Sequence, residues 1–285
     1  MPRTRAFALV LLVSLAVLSY ISFDAYIKPV VIGIPSPAHS TAPLPIHHLD
    51  PTTPSVLIVS AFFPLSKSKH SISDYNGWLS RFLQPITTPI YIFTTPDMGP
   101  IIQSLRGDLP ITINTTFQSP FDIPPLKDGL IGGKTFREKY EEMWGWDREK
   151  HVHNPELYAI WTAKPYFLDE GMRNSKGNYD YAFWNDAGSF RESHMYSSWP
   201  DPKRVKEIWE EGTRESGTSP EDLLFFPMWE LPHSSMQYWS ESMGPVDNEF
   251  SEGQFFLPSL RPRKILTFSQ RLILRWLSKH NKVVA

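Results

Sequence analysis

The passage Tyr181–Arg191, YAFWNDAGSFR, holds the residues of this 285-residue chain best suited to chemistry. An apolar run ends abruptly in Asn185-Asp186, passes through a small-residue turn at Ala187 and Gly188, and reaches Arg191. In open α/β sheets, ligands gather beyond the carboxyl ends of the strands. A carboxylate held there by rigid backbone can coordinate a divalent cation, which in turn neutralises a diphosphate. Gly188 would let the backbone approach a ligand closely. Arg191 would pair with phosphate oxygens or with Asp186. The competing reading is structural: a strand-ending turn with an Asx hydrogen bond and an internal ion pair.

Other residue types offer further chemistry. Lys164 falls on a helix face otherwise made of Leu157, Ile160, Trp161 and Leu168, so its ammonium must snorkel or find a partner. A phosphate or the Asp186 carboxylate would serve, and a purely structural salt bridge is an equal alternative. Trp144, Trp146, Trp161, Trp184 and Trp199 could stack on sugar rings, although Trp161 and Trp184 read better as core. His151-x-His153 would be a metal pair only with both rings facing inward on a strand; a loop pair is the better reading, as a solvated pair is for His47-His48. Glu249 and Glu252 flank Phe250-Ser251, and Glu252, next to Gly253, is a candidate base set against a solvated loop. The chain has no phosphate-binding Gly-x-x-x-x-Gly-Lys-Ser/Thr loop, no His-Glu-x-x-His and no Gly-x-Ser-x-Gly, which weakens P-loop, zincin and α/β-hydrolase chemistry.

An α/β sheet would position these groups. Val56–Phe63, Ile90–Thr94 and Tyr181–Trp184 are continuous apolar runs of the kind found in buried parallel strands, and Ile111–Ile113 is a shorter one. Ser73–Leu83, with Ile72 just before it, has Ile72, Trp78, Leu79 and Phe82 at helix-compatible spacing. A longer helix over Glu156–Arg173 follows Asn154, a good N-cap, and Pro155, which suits the first helical position; Pro165 is a candidate kink. Pro120–His153 reads as irregular, Lys203–Glu215 as a charged exposed helix and Leu223–Met228 as a strand. The alternation of strand and helix gives the α/β class.

Composition narrows the field. Apolar residues make up 41%, enough for a core, so wholesale disorder is excluded. Lys plus Arg total 28 against 30 Asp plus Glu, without the basic excess of a general nucleic-acid binder. The absence of cysteine excludes disulfides, a thiolate nucleophile and thiolate-held metals.

The N-terminus points to a membrane. Ala6–Phe23 carries no charge over 18 residues and follows Arg3 and Arg5, the pattern of a signal anchor with a cytoplasmic N-terminus. A cleavable signal peptide is the alternative, disfavoured because no small-x-small site follows Ser22. Seven prolines lie between Asp24 and Pro54, consistent with a semi-extended stem. Asn114-Thr115-Thr116 is a glycosylation tripeptide compatible with a lumenal domain.

The helix Pro155–Asp169, PELYAIWTAKPYFLD, taken with Tyr179–Arg191, resembles the HtrL/YibB protein family. Val56–Phe63, with Tyr75 and Trp78 downstream, is similar to that family's opening strand and helix, and the likeness spans roughly residues 55 to 253. The resemblance implies a GT-A-like, Rossmann-like mixed sheet flanked by helices and a glycosyltransferase acting on a nucleotide-diphosphate sugar and a hydroxyl acceptor. It implies Asp186 as the metal-motif aspartate holding Mn²⁺ or Mg²⁺, Gly188 and Arg191 completing the turn, and Lys164 and Trp161 in the adjacent helix signature. Two departures stand out. The motif reads Asn185-Asp186-Ala187 rather than two aspartates around one residue, and the segment after Gly253 does not continue the family pattern. From residue 257 the chain is basic and free of acidic residues, as an altered splice would give; Ile265–Leu277 would form a basic amphipathic helix on a membrane surface.

The expectation is therefore an anchor over 1–23, a stem over 24–54, a GT-A-like domain over 55–257 and a basic tail over 258–285. The chain would be a single-pass type II membrane protein of the secretory pathway facing the Golgi lumen. It would transfer a sugar, with Asp186 and Glu252 in catalysis. The alternatives are a non-catalytic carbohydrate- or protein-binding module on a stalk and a truncated inactive homologue.

Overall fold

The structure is a computed structural model that describes residues 53–131, 133–225, 234, 238 and 255–258, all within the compact unit Leu49–Ala285. The expected anchor, nearly all of the stem, the basic tail and Glu252 lie outside the described residues.

Four parallel strands form the centre: β1 (Val56–Phe62), β2 (Ile90–Thr94), β3 (Ile111–Asn114) and β6 (Tyr181–Asn185). Helices α1 (Ile72–Leu83) and α2 (Gly99–Arg106) join the first three. A longer crossover holds the short α3 (Pro124–Lys127), a small hairpin of β4 (Leu130–Ile131) and β5 (Lys134–Thr135), α4 (Phe136–Trp146) and α5 (Pro155–Asn174). After β6 come α6 (Pro202–Ser216), β7 (Leu224–Phe225) and β8 (Phe255–Pro258). The sheet order is β3-β2-β1-β6-β8-β7, with β8 antiparallel to both its neighbours. This is the expected α/β class, with a parallel core and an antiparallel margin.

Every residue of β1 is buried because helices cover both faces, which is why its sequence is unbroken apolar rather than alternating. Leu57, Val59 and Ala61 join Ala182 and Trp184 of β6 against Ala159, Ala163 and Phe167 of α5. Ile58 and Phe62 join Ile90 and Ile92 against Leu79, Phe82 and Leu83 of α1 and Ile102 of α2. Val56 and Phe183 pack on Val205 and Trp209 of α6. Alternation along the strands therefore places α1, α2 and α6 on one face and α5 on the other.

Helix α5 departs from its expected orientation. Its buried stripe runs through Tyr158, Ala159, Thr162, Ala163, Phe167 and Leu168, whereas Trp161 is exposed. Close packing selects the small residues: a Cβ on Gly171 would stand 2.9 Å from Val59 Cγ1, so the helix axis comes nearest the sheet where side chains are smallest. Pro165 lies inside one continuous helix. It forfeits the single hydrogen bond to the Trp161 carbonyl, and the helix does not end there. Trp184, in contrast, is fully buried as expected.

Helix α4 replaces part of the irregular chain expected over Pro120–His153, and α2 fills a stretch to which no element had been assigned. Helix α4 starts at a reciprocal capping box in which Thr135 accepts from Glu138 N and Glu138 accepts from Thr135 N. Helix α2 starts with a proline in its first turn and ends at Gly107, where φ is +61°. Its Arg106 is 2% exposed and donates to the carbonyls of Leu83, Ile86, Thr88 and Pro110, pinning the loops that enter β2 and β3. Burial lowers its guanidinium to about 10. Among the described residues no helix is long and apolar enough to cross a membrane.

Candidate functional site

The chain leaves β1 towards β2 and later returns to β1's other side as β6. The loops at the carboxyl ends of β1 and β6 therefore diverge, which makes the switch point where α/β sheets bind ligands. Two segments meet the criterion: Phe63–His70 after β1 and Asp186–Arg191 after β6.

Asp186 follows β6 directly, and its side chain turns to the α5 face. Lys164 Nζ lies 2.9 Å from Oδ2 and 2.9 Å from Oδ1. Trp184, two residues earlier on the same strand face, donates from Nε1 to Oδ1 at 2.7 Å. The ammonium also stands 5.8 Å from the centre of the Trp184 ring. The Lys164 side chain is 10% exposed and that of Asp186 29%, so solvent reaches the carboxylate more readily than the ammonium. The carboxylate is thus open on one side and held by internal neighbours on the other.

The turn is fixed from behind. Ser189 N donates to Asp186 O, and Asn185 Nδ2 donates to the same carbonyl at 3.0 Å. Asn185 Oδ1, Ser189 Oγ and, on β1, Ser60 Oγ are buried without a hydrogen-bond partner. Such orphaned oxygens are uncommon in folded interiors, and here three lie on the segments that end β1 and β6.

Gly188 and Arg191 lie on the other side of the sheet edge. A Cβ on Gly188 would stand 3.3 Å from Trp78 Cε3 and 3.5 Å from Tyr75 Cε1. The close approach Gly188 permits is therefore to the aromatic side chains of α1, not to open space for a ligand. Arg191 is exposed, and its guanidinium sits 4.8 Å from the Trp78 ring centre, a cation–π arrangement. Lys164 and Arg191 thus flank the 186–191 segment from opposite faces.

The loop after β1 carries groups that sequence reading missed. Ser66 donates from N and Oγ to Glu156 Oε2, both at 2.8 Å, and Asn154 Nδ2 donates to Lys67 O at 3.2 Å. The first turn of α5 thereby clamps this loop and presents Lys67, Lys69 and His70 beyond the sheet edge, with His70 edge-on to Trp78 at 4.8 Å. The run Ser66-Lys67-Ser68-Lys69-His70 directly after a buried strand was the available signal.

A second polar cluster joins α4 to α5. Asp147 Oδ2 lies 2.8 Å from His153 Nδ1 and accepts the Tyr158 hydroxyl. His153 therefore meets a carboxylate, and His151 is exposed, as expected of a loop pair. Burial raises the Asp147 carboxyl, but the hydrogen bonds from Tyr158 and His153 outweigh it and leave the group below its usual range. Burial and the neighbouring carboxylate push the Tyr158 phenol well up.

The described residues do not form a divalent-cation cage. No group of three His, Asp or Glu among them is arranged to hold a metal ion, and both oxygens of Asp186 already take the Lys164 ammonium. A hard cation asks for several oxygen ligands, so the donor set at Asp186 fits an ammonium better than Mn²⁺ or Mg²⁺. The glycosylation tripeptide starts at the end of β3, where Asn114 Nδ2 donates to the Tyr91 hydroxyl at 3.1 Å.

No protein-family model matches the chain, and no curated protein does either.

Proposed function

We propose that the chain is a GT-A-like glycosyltransferase of the HtrL/YibB type, which moves a sugar from a nucleotide-diphosphate donor to a hydroxyl acceptor. The observation that carries this reading is the placement of an accessible carboxylate, Asp186, paired to Lys164 at the β1/β6 switch point. Cations stand to either side, with Lys164 reaching from α5 and Arg191 lying on α1.

In this reading the bond between the sugar's anomeric carbon and the diphosphate oxygen breaks, and the diphosphate keeps the electron pair. A bond from the acceptor oxygen to that carbon forms, and the acceptor's proton leaves to a base. Lys164 and Arg191 face the charge that develops on the leaving group, where a preorganised cation stabilises it most. Asp186 holds Lys164 in register before the donor arrives. A divalent cation would have to displace that ammonium or draw ligands from outside the described residues. Glu252, the sequence candidate for the base, is outside them too.

The test is donor turnover. The full chain is incubated with UDP- and GDP-sugars and an oligosaccharide mixture, and nucleotide release is followed. Release that depends on acceptor and falls at least about 100-fold in Asp186→Asn supports the reading; no release with any donor counts against it. The second reading, a non-catalytic module on a membrane stalk of the secretory pathway, draws on the same geometry. Asp186 is satisfied by Trp184 and Lys164, as a structural residue would be. That reading requires Asp186→Asn to alter melting and to leave ligand binding unchanged.

A further inference from the structure

Three tryptophans stand in solvent on the α4–α5 layer: Trp144 and Trp146 end α4, and Trp161 lies on α5, at 37%, 59% and 42% exposure. Each indole is large enough to anchor a core, and exposed aromatic groups of this size gather at recognition surfaces. A fixed polar frame joins them. The His153 ring sits edge-on to Trp161 with centres 5.3 Å apart, and its two nitrogens face Asp147 Oδ2 at 2.8 Å and Glu149 Oε2 at 3.7 Å. Trp144 Nε1 donates to Lys150 O at 3.0 Å, and Lys67 Nζ donates to the same carbonyl at 3.1 Å. Both rings are therefore held in set orientations.

We infer that this surface binds a neutral saccharide, with a pyranose ring against Trp161, its hydroxyls on His153 and Glu149, and the next unit beside Trp144, over whose ring Lys67 Nζ stands 6.0 Å from the centre. A pyranose has faces of C–H groups and a rim of hydroxyls. Aromatic faces set beside fixed carboxylate and imidazole groups match both at once. The charge pattern is mixed and favours a neutral ligand: Asp147-Arg148-Glu149-Lys150 carries two charges of each sign, and Lys67 adds one cation at the Trp144 end. A membrane surface or an amphipathic helix would call for continuous apolar area, whereas charged groups interrupt the tryptophans here. Under the transferase reading this surface holds the acceptor, because Trp161 is one helical turn from Lys164 on α5. Only that assignment rests on the transferase reading; the saccharide site does not.

The experiment uses the full chain with fluorotryptophan incorporated and fluorine NMR. Resonances are assigned from Trp144→Phe and Trp161→Phe, and maltotetraose, chitotetraose, mannotetraose and xylotetraose are titrated separately. At least one sugar is expected to shift the Trp144 and Trp161 resonances saturably. Trp161→Ala, at an exposed position, and Glu149→Gln are each expected to weaken that binding by about ten-fold or more with unchanged melting. No shift with any of the sugars at millimolar concentration overturns the inference. So do shifts of equal affinity in Trp161→Ala, and so does a response to phospholipid vesicles or an amphipathic peptide in place of sugars. UDP is titrated into the same sample: nucleotide binding without saccharide binding removes this inference alone, and the reverse removes the transferase reading alone.

Discussion

Lys164 reaches across from α5 to place its ammonium 2.9 Å from both carboxylate oxygens of Asp186, the residue that follows β6. The contact ties α5, the longest helix among the described residues, to the central sheet at the switch point. It also decides the local electrostatics. The ammonium is the more buried partner, so the carboxylate spares it from lying uncompensated beneath the surface.

Removing the ammonium should cost stability without unfolding the chain. Lys164→Met is expected to destabilise by about 1–3 kcal/mol, below the range for a fully buried pair because Asp186 keeps solvent contact. A urea-melt double-mutant cycle with Asp186→Asn checks this. Additive effects would show that the two side chains are not coupled.

Arg106 should matter far more. Its guanidinium serves the carbonyls of Leu83, Ile86, Thr88 and Pro110 from a site 2% exposed. Arg106→Leu strands those acceptors and is expected to cost about 3 kcal/mol or more. Arg106→Lys should recover only part, since an ammonium cannot reproduce the planar fork. A change below about 1 kcal/mol in urea unfolding would contradict this.

Gly171 sets how closely α5 lies on the sheet. Gly171→Val brings branched carbon into Val59, whose methyl carbons would already be 2.9 and 3.0 Å from a bare Cβ. The expected loss is about 2 kcal/mol or more, read as a lower urea midpoint. Gly171→Ala should cost less, because alanine's better helix propensity offsets part of the clash.

Asp147 should shape the acid limb. Its carboxyl titrates below the usual value because the Tyr158 and His153 hydrogen bonds outweigh burial. A group whose folded value is depressed contributes stability that is full above the unfolded value and is lost as pH falls through the folded one. Stability between roughly pH 5 and 2 should therefore fall less steeply in Asp147→Asn than in the parent chain. Identical slopes would show that the cluster does not hold the carboxylate.

The strands were legible because burial on two faces writes itself as unbroken β-branched and aromatic runs, and Asp186 was legible as the break that ends one of them. The Lys164–Asp186 pair was within reach, since a lysine on an apolar helix face must find an anion. Helix α4 carried a short signal, Phe136, Tyr140 and Met143 at i, i+4 and i+7, the stripe that packs into the core, with the Thr135–Glu138 cap at its start; charged neighbours and the terminal indoles obscure so brief a period. The orientation of α5 is set by Ala159, Ala163 and Gly171 and not by its large apolar residues, because small residues decide where a helix can touch a sheet. Gly188 read as room for a ligand, yet that room belongs to Trp78 and Tyr75, which lie more than a hundred residues away along the chain. The frame of Asp147, His153 and Tyr158 needed the turn between two helices, which no local pattern specified.

Under the proposed function, an anionic nucleotide is expected to bind where Lys164 meets Asp186. Calorimetric titration of the full chain with UDP, once with EDTA and once with Mn²⁺, tests it most directly. Saturable binding that persists in EDTA and weakens at least about ten-fold in Lys164→Met, equivalent to about 1.4 kcal/mol, is the predicted result. Absence of binding in the parent chain, or equal affinity in Lys164→Met, would contradict it.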